Sequence, residues 1–235
     1  MRTLLFVALA AAVASPAGAA TRNFTVTSFT KIRVDGPFNV SLKTGVAPFA
    51  KASGSSDAVD RIAIDVRGDT LVIRSSLDSW GSYPGKDVGP VEISLGTHDL
   101  SGAAVNGSGA LSIDKVRGLL FNLTVQGSAI ADIESVDVDQ FRVDLAGSVG
   151  ATLGGKVGKL TSVLRGLSTL DATKLDVKDV SISADGPGTV KAQVSNSATI
   201  DASGPATIKL DGKPACTLKV VGSASVSGCG SNSAQ

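Results

Sequence analysis

The 235-residue chain carries one His, one Met, one Trp, one Tyr and two Cys, and only 4% of its residues are aromatic. A lone imidazole, His98, cannot build a histidine-based catalytic centre, and two thiols add too little for a transition-metal site. Neither a metal nor any other cofactor is expected. Charge of one sign is missing too: Lys+Arg 22 against Asp+Glu 21 leaves +1. No global field therefore draws the chain to nucleic acid or to an anionic membrane surface. The longest apolar run, Leu4 to Val13, is about half of the ~20 residues a membrane-spanning helix needs, so membrane insertion is not expected.

That run does have a reading. Met1-Arg2 gives a positive start, Leu4 to Val13 an apolar stretch, and Ala17-Gly18-Ala19 a small-residue cleavage site. Together they predict a secretory signal peptide over residues 1–19 and export to the periplasm or the extracellular space. No Cys follows the cleavage region, which removes the acylated cysteine of a lipoprotein, and Ser227 to Gln235 carries no hydrophobic anchor. In an oxidising compartment Cys216 and Cys229 can pair, closing a loop worth roughly 3 kcal/mol in the chain-entropy model. Two free buried thiols are the alternative.

What the chain has in quantity is glycine, 27 residues, and part of it recurs at a fixed period. Gly107, Gly127, Gly147, Gly166, Gly186, Gly204 and Gly222 are spaced by 20, 20, 19, 20, 18 and 18 residues. Two residues before each stand Val105, Val125, Leu145, Leu164, Ala184, Ala202 and Val220. Four residues after stand Leu111, Ala131, Ala151, Leu170, Val190, Ile208 and Val226. Polar residues alternate with these rows, which is strand periodicity, and in the outer apolar rows only Ser162 breaks the pattern. Each unit therefore reads as a strand, a glycine corner, a second strand and a third side holding pairs such as Val136 and Val138. A unit of about twenty residues cannot bury its own apolar face, but stacked units turn each row into an interior ladder. The expected fold is an all-β parallel β-helix over residues 96–230, followed by a short flexible tail over 231–235.

Residues 20–95 lack that period but still alternate, as in Ile32, Val34, Phe38, Val40 and Leu42. Gly36-Pro37 and Gly68-Asp69 read as hairpin turns, giving strands that cap the first coil and cover its edges.

The run Phe29 to Leu42, the Gly68-Asp-Thr-Leu-Val-Ile73 segment, the Gly-Ser-Gly-like corners and Asp211-Gly-Lys-Pro214 resemble, in that order, one bacterial family. It is the family described as "putative auto-transporter adhesin, head GIN domain". The resemblance implies a right-handed β-helix, an exported protein and a role in adhesion, and it brings no catalytic residue with it.

Several residues invite a sharper reading. Asp144 and Asp201 share an outward row, and Asp171 and Asp185 lie near Arg165 and Lys191, the materials of a carbohydrate-active hydrolase or lyase. No coil concentrates them, so they read as a solvated face. His98 lies in a turn with no nucleophile elbow nearby. Arg67-Gly68-Asp69 matches the integrin-binding tripeptide but is better explained as turn chemistry. Asn23, Asn39 and Asn122 open glycosylation sequons to which no role is assigned. Trp80 and Tyr83, in a Gly, Ser and Pro-rich loop, are the candidate ligand-binding residues, since aromatic rings stack on sugars; covering the end of the core is their alternative role. The expected function is a non-enzymatic binding, adhesion or structural module of the cell envelope, with an envelope polysaccharide or protein as partner. A carbohydrate-active enzyme is the alternative, and a homo-oligomer joined through exposed solenoid ends a third reading.

Overall fold

A computed structural model describes residues 20–76 and 89–230, which form a parallel β-helix. The predicted signal peptide and the 231–235 tail lie outside the described residues, as do Trp80 and Tyr83. Five long strands make the body: β9 (Ala110–Gly127), β10 (Ile130–Gly147), β11 (Gly150–Arg165), β12 (Thr169–Asp185) and β13 (Thr189–Ser203). Each winds round a full coil and pairs in parallel with the next. A partial coil closes the end with β14 (Thr207–Asp211), β15 (Ala215–Val221) and β16 (Ser225–Ser227). Ladder partners Ile130, Gly150, Thr169, Thr189 and Thr207 step by 20, 19, 20 and 18 residues, as the glycine spacing requires. The apolar rows point inward: Val125, Leu145, Leu164, Ala184 and Ala202 are all at most 2% exposed. Phe121 and Phe141 stack one coil above the other with ring centroids 5.5 Å apart.

The corner glycines form the column on which the coils are built. Every one has a positive φ, from 77° at Gly204 to 120° at Gly107, a region that L side chains rarely adopt. Space adds a second constraint, because a Cβ on Gly127 would lie 2.5 Å from the Gly107 carbonyl oxygen one coil away. Backbone stacks on backbone here, and the strands on either side stay in register.

The front of the chain departs from expectation. Gly36 (φ 136°) does not turn a hairpin; it starts the glycine column, and the Gly36 backbone lies 3.3 Å from the Cβ position of Gly107. The strands flanking it, β2 (Lys31–Asp35) and β3 (Asn39–Thr44), pair in parallel with β8 (Gly102–Gly107) and β9. They are a full member of the stack although 71 residues separate Gly36 from Gly107, so no twenty-residue period could reveal them. The intervening chain builds the end. Strands β6 (Thr70–Ser75) and β7 (Glu92–Thr97) pair with the free sides of β2 and β3. Antiparallel β5 (Ile62–Arg67), β4 (Phe49–Gly54), β1 (Ala20–Phe24) and the short helix α1 (Ser56–Asp60) extend that end. Gly68-Asp69 is the hairpin turn expected, between β5 and β6.

At the opposite end Cys216 and Cys229 form a disulfide with Cα atoms 5.7 Å apart, tying β15 to the segment after β16. Here the interior rows run out. Val220, placed inside by its row, is 41% exposed, and Leu218 and Val226 are half-buried because no further coil covers them among the described residues.

Candidate functional site on the third side

The two sides next to the glycine column are regular ladders, and the third side is not. The ladder irregularities fall between Ile133 and Val136, Thr152 and Gly154, Ala172 and Asp176, and Val177 and Asp179, all on or at the entry to the third side. Its outward residues carry charge of alternating sign. Arg117, Asp137, Lys156 and Asp176 stand in one row of ladder partners, about 4.8 Å apart per coil. In the middle of this side β11 reads Gly154-Gly155-Lys156-Val157-Gly158 and supplies little side-chain bulk. The result is an open hollow of about 490 Å³ over the strand segments at Val138, Val157 and Val177, which are themselves buried in the core, rimmed by Asp137, Asp139, Lys156, Asp176 and Lys178. A Cβ on Gly158 would lie 2.7 Å from the Asp139 carbonyl oxygen, so glycine is what keeps the coils in contact there.

The rim is only loosely tied to itself. Lys156 Nζ lies 3.5 Å from Asp137 Oδ1, both well exposed, a geometry worth well under about 1 kcal/mol. Asp139, Asp176 and Lys178 have no ion pair among the described residues. Two corner carboxylates bound this side and are more firmly held. Asp171, at the entry, accepts hydrogen bonds from the Thr173 hydroxyl (2.6 Å) and N–H (3.1 Å), which hold its carboxyl below the usual range. Asp179, at the exit, is lowered likewise by the Ser197 hydroxyl (2.5 Å) and the Asn196 amide (2.7 Å).

The residues singled out from sequence are dispersed. Asp144 pairs with Arg142 at 3.1 Å and Asp201 with Lys219 at 3.2 Å, three coils apart on one flat face, roughly 14 Å at strand spacing. Asp171 is the ladder neighbour of Lys191, and Asp185 accepts from the Ser203 hydroxyl at 3.0 Å. No two of these carboxylates converge with a base in a cleft. His98 is an exposed turn residue beside Lys115 and Arg117, in a hollow of about 160 Å³. In the Arg67-Gly68-Asp69 turn the aspartate is occupied: Lys31 Nζ lies 2.9 Å away and the Thr70 hydroxyl donates at 3.0 Å, which lowers the Asp69 carboxyl. Among the described residues no group of three His, Cys, Asp or Glu side chains could hold a metal ion, and no helix is long and apolar enough to cross a membrane. Sequence reading missed the Gly158 hollow. The signal was there in the second set of glycines, Gly154, Gly155 and Gly158, which only one coil carries.

Comparison with known proteins agrees with this architecture. A "putative adhesin" from Bacteroides fragilis superposes with a TM-score of 0.79 at 20% identity, covering 89% of this chain and 95% of that one. A "putative adhesin" from Parabacteroides distasonis gives 0.65 at 15% identity over 89% and 96%. A "putative lipid binding protein" from the same species gives 0.64 at 15% over 88% and 95%. At such identities the likeness is one of fold. No curated protein matches the chain. The family model matches residues 28–214, and the chain belongs to the family described as "putative auto-transporter adhesin, head GIN domain".

Proposed function

We propose that the protein is a non-enzymatic, exported adhesion or binding module of the bacterial envelope, and that it contacts an envelope polysaccharide through the third side. The reading is carried by the Gly158 hollow, whose rim of carboxylates and ammonium groups is tied to itself only by the loose Lys156–Asp137 pair. Carboxylates that accept and ammonium groups that donate suit a polyhydroxylated chain bearing charged substituents. A hollow of about 490 Å³ falls within the range of ligand pockets. Rows of side chains repeating every ~4.8 Å on a long face also suit a polymer better than a compact metabolite. The scattered carboxylates support binding over turnover, since acid and base groups must converge on one bond to catalyse its cleavage. Family membership and the disulfide support export and adhesion.

The test is an array of glycans and cell-wall polymers probed with the purified protein, Asp139→Ala/Lys178→Ala and Trp80→Ala/Tyr83→Ala. Binding lost in the first variant and kept in the second supports the hollow. The reverse result moves the site to the Trp80 loop. Cleaved products in place of retained ligand would overturn the non-enzymatic reading.

A further inference from the structure

Where the third side turns into the face that leads to the glycine column, β9, β10 and β11 present two outward rows. Leu120, Gln140 and Lys159 are ladder partners in the first, and Asn122, Arg142 and Thr161 in the second. Two positions along each strand and three coils make a grid of roughly 7 Å by 10 Å. These six residues line a hollow of about 260 Å³ that shares no residue with the Gly158 hollow. Its charge differs as well, since three carboxylates rim the Gly158 hollow and none lines this one. Further along the same rows the cations stop: Asp179 and Ser197 follow Lys159, and Ser181 and Thr199 follow Thr161. The polar heads in the hollow are also unused. Arg142 donates Nε to Asp144 at 3.1 Å, which holds one edge of the guanidinium and leaves both terminal nitrogens without a partner among the described residues. Lys159 has no ion pair there, because its neighbour Asp179 accepts from Ser197 and Asn196 instead. The side chains of Asn122, Gln140 and Thr161 make no hydrogen bond to any described residue.

We propose that this hollow is a second binding site, and that it takes a sugar residue carrying a carboxylate, a uronic acid within a glycan chain. The carboxylate is required by the cations. The guanidinium edge that Asp144 leaves open matches two carboxylate oxygens in a bidentate pair. Lys159 is the diagonal neighbour of Arg142, roughly 8 Å away at strand spacing, so both long side chains reach one group between them. The sugar is required by the rest of the lining. Asn122 and Gln140 each offer donors and an acceptor, and Thr161 a hydroxyl that does both, which is the pairing that ring hydroxyls need. Leu120, 49% exposed, supplies an apolar surface for the C–H face of a ring. A bare anion would leave the amides unused, and a neutral sugar would leave both cations unused. The site binds its sugar whether or not the Gly158 hollow is occupied.

The test is calorimetric titration of the purified protein with trimers of galacturonate, glucuronate and mannuronate, each up to about 10 mM. The expected result is binding of at least one trimer, weakened at least tenfold in Arg142→Gln/Lys159→Gln and unchanged in Lys43→Gln/Lys51→Gln, which removes equal charge from the front of the molecule. Esterifying the carboxylates must abolish the binding, and triglutamate must not replace the sugar. No binding of any trimer overturns the proposal, as does an ester or a triglutamate bound as tightly as the free acid. Weakening in Asp139→Ala/Lys178→Ala and not in Arg142→Gln/Lys159→Gln assigns the acidic sugar to the Gly158 hollow, which overturns this site and leaves the proposed function standing. Should Arg142→Gln/Lys159→Gln fail to fold, proton–nitrogen correlation spectra of the wild-type protein decide: amide shifts on titration must centre on 120–122, 140–142 and 159–161, and shifts centred elsewhere overturn the site.

Discussion

Beside the glycine column each coil repeats the one before it, and across the core on the third side it does not. Coils of 18 to 20 residues stack on one another, and the slack is taken up where the ladder shifts, between Ile133 and Val136 and at the corresponding points of later coils. The column cannot absorb it. A residue added beside Gly127 would flip every inward side chain of that strand to the outside, because the side-chain period is two. The third side has shorter straight runs, so a bulge costs it little. Conformational freedom and chemical variety therefore fall together there, where repetition is weakest, and that is the side on which we propose recognition.

The comparison breaks most sharply by substitution on its rigid side. Gly127→Val puts a branched side chain at a φ of 96° with its Cβ against the Gly107 carbonyl, and Leu145→Asp puts a carboxylate into a row 1% exposed. Each should cost more than about 4 kcal/mol and leave little folded protein, read by circular dichroism and thermal melting. Asp176→Ala on the third side should stay within about 0.5 kcal/mol. Equal losses for Gly127→Val and Asp176→Ala would erase the distinction.

The disulfide belongs to the open end and should rank next. Cys216→Ser/Cys229→Ser removes a bridge between positions 13 residues apart in sequence and should cost roughly 3 kcal/mol in denaturant unfolding. A loss confined to hydrogen exchange of the last partial coil, with global unfolding unchanged, would mean that this coil frays independently.

Smaller, and of opposite sign, is the effect expected at Ser162. Its hydroxyl is fully buried in an otherwise apolar row between Val143 and Ile182 and has no hydrogen-bond partner among the described residues. Ser162→Ala removes an unsatisfied group and should stabilise by about 1 kcal/mol. A destabilised variant would show that the hydroxyl is satisfied within the core.

How much of this was legible in the sequence follows the same division. Period-two rows around Gly107 to Gly222 specified the register and the interior of successive coils, and Ser162 stood out as the one break. Gly36 was misread because its coil is separated from the next by the excursion through β4 to β7, and a repeat search sees only neighbours in sequence. Val220 was misplaced because a row predicts which way a residue points, not whether a further coil covers it. The Gly158 hollow arises where three coils meet, from Asp139, Gly158 and Lys178, residues about twenty apart whose charges form no motif along the chain.

The smallest expected effect tests the corners that lead into and out of the third side. Asp171 and Asp179 are hydrogen-bonded as carboxylates, so their pKa values in the folded chain lie below the ordinary 3.8 that they regain on unfolding. A depressed folded value favours the deprotonated form, so the stability it contributes is complete above the unfolded pKa and is lost as pH falls through the folded one. Both groups are open to solvent, which screens the effect. The thermal midpoint should therefore hold steady from neutral pH to about pH 5 and decline below about pH 4. Asp171→Asn/Asp179→Asn should melt slightly earlier than wild type at pH 7 and draw level with it as pH falls through the depressed folded pKa values, since the amide mimics the protonated acid. Parallel curves at all pH values would show that these corners contribute nothing through their charge. The third side would then be held by the interior rows beneath it and not by the charge of these two corners.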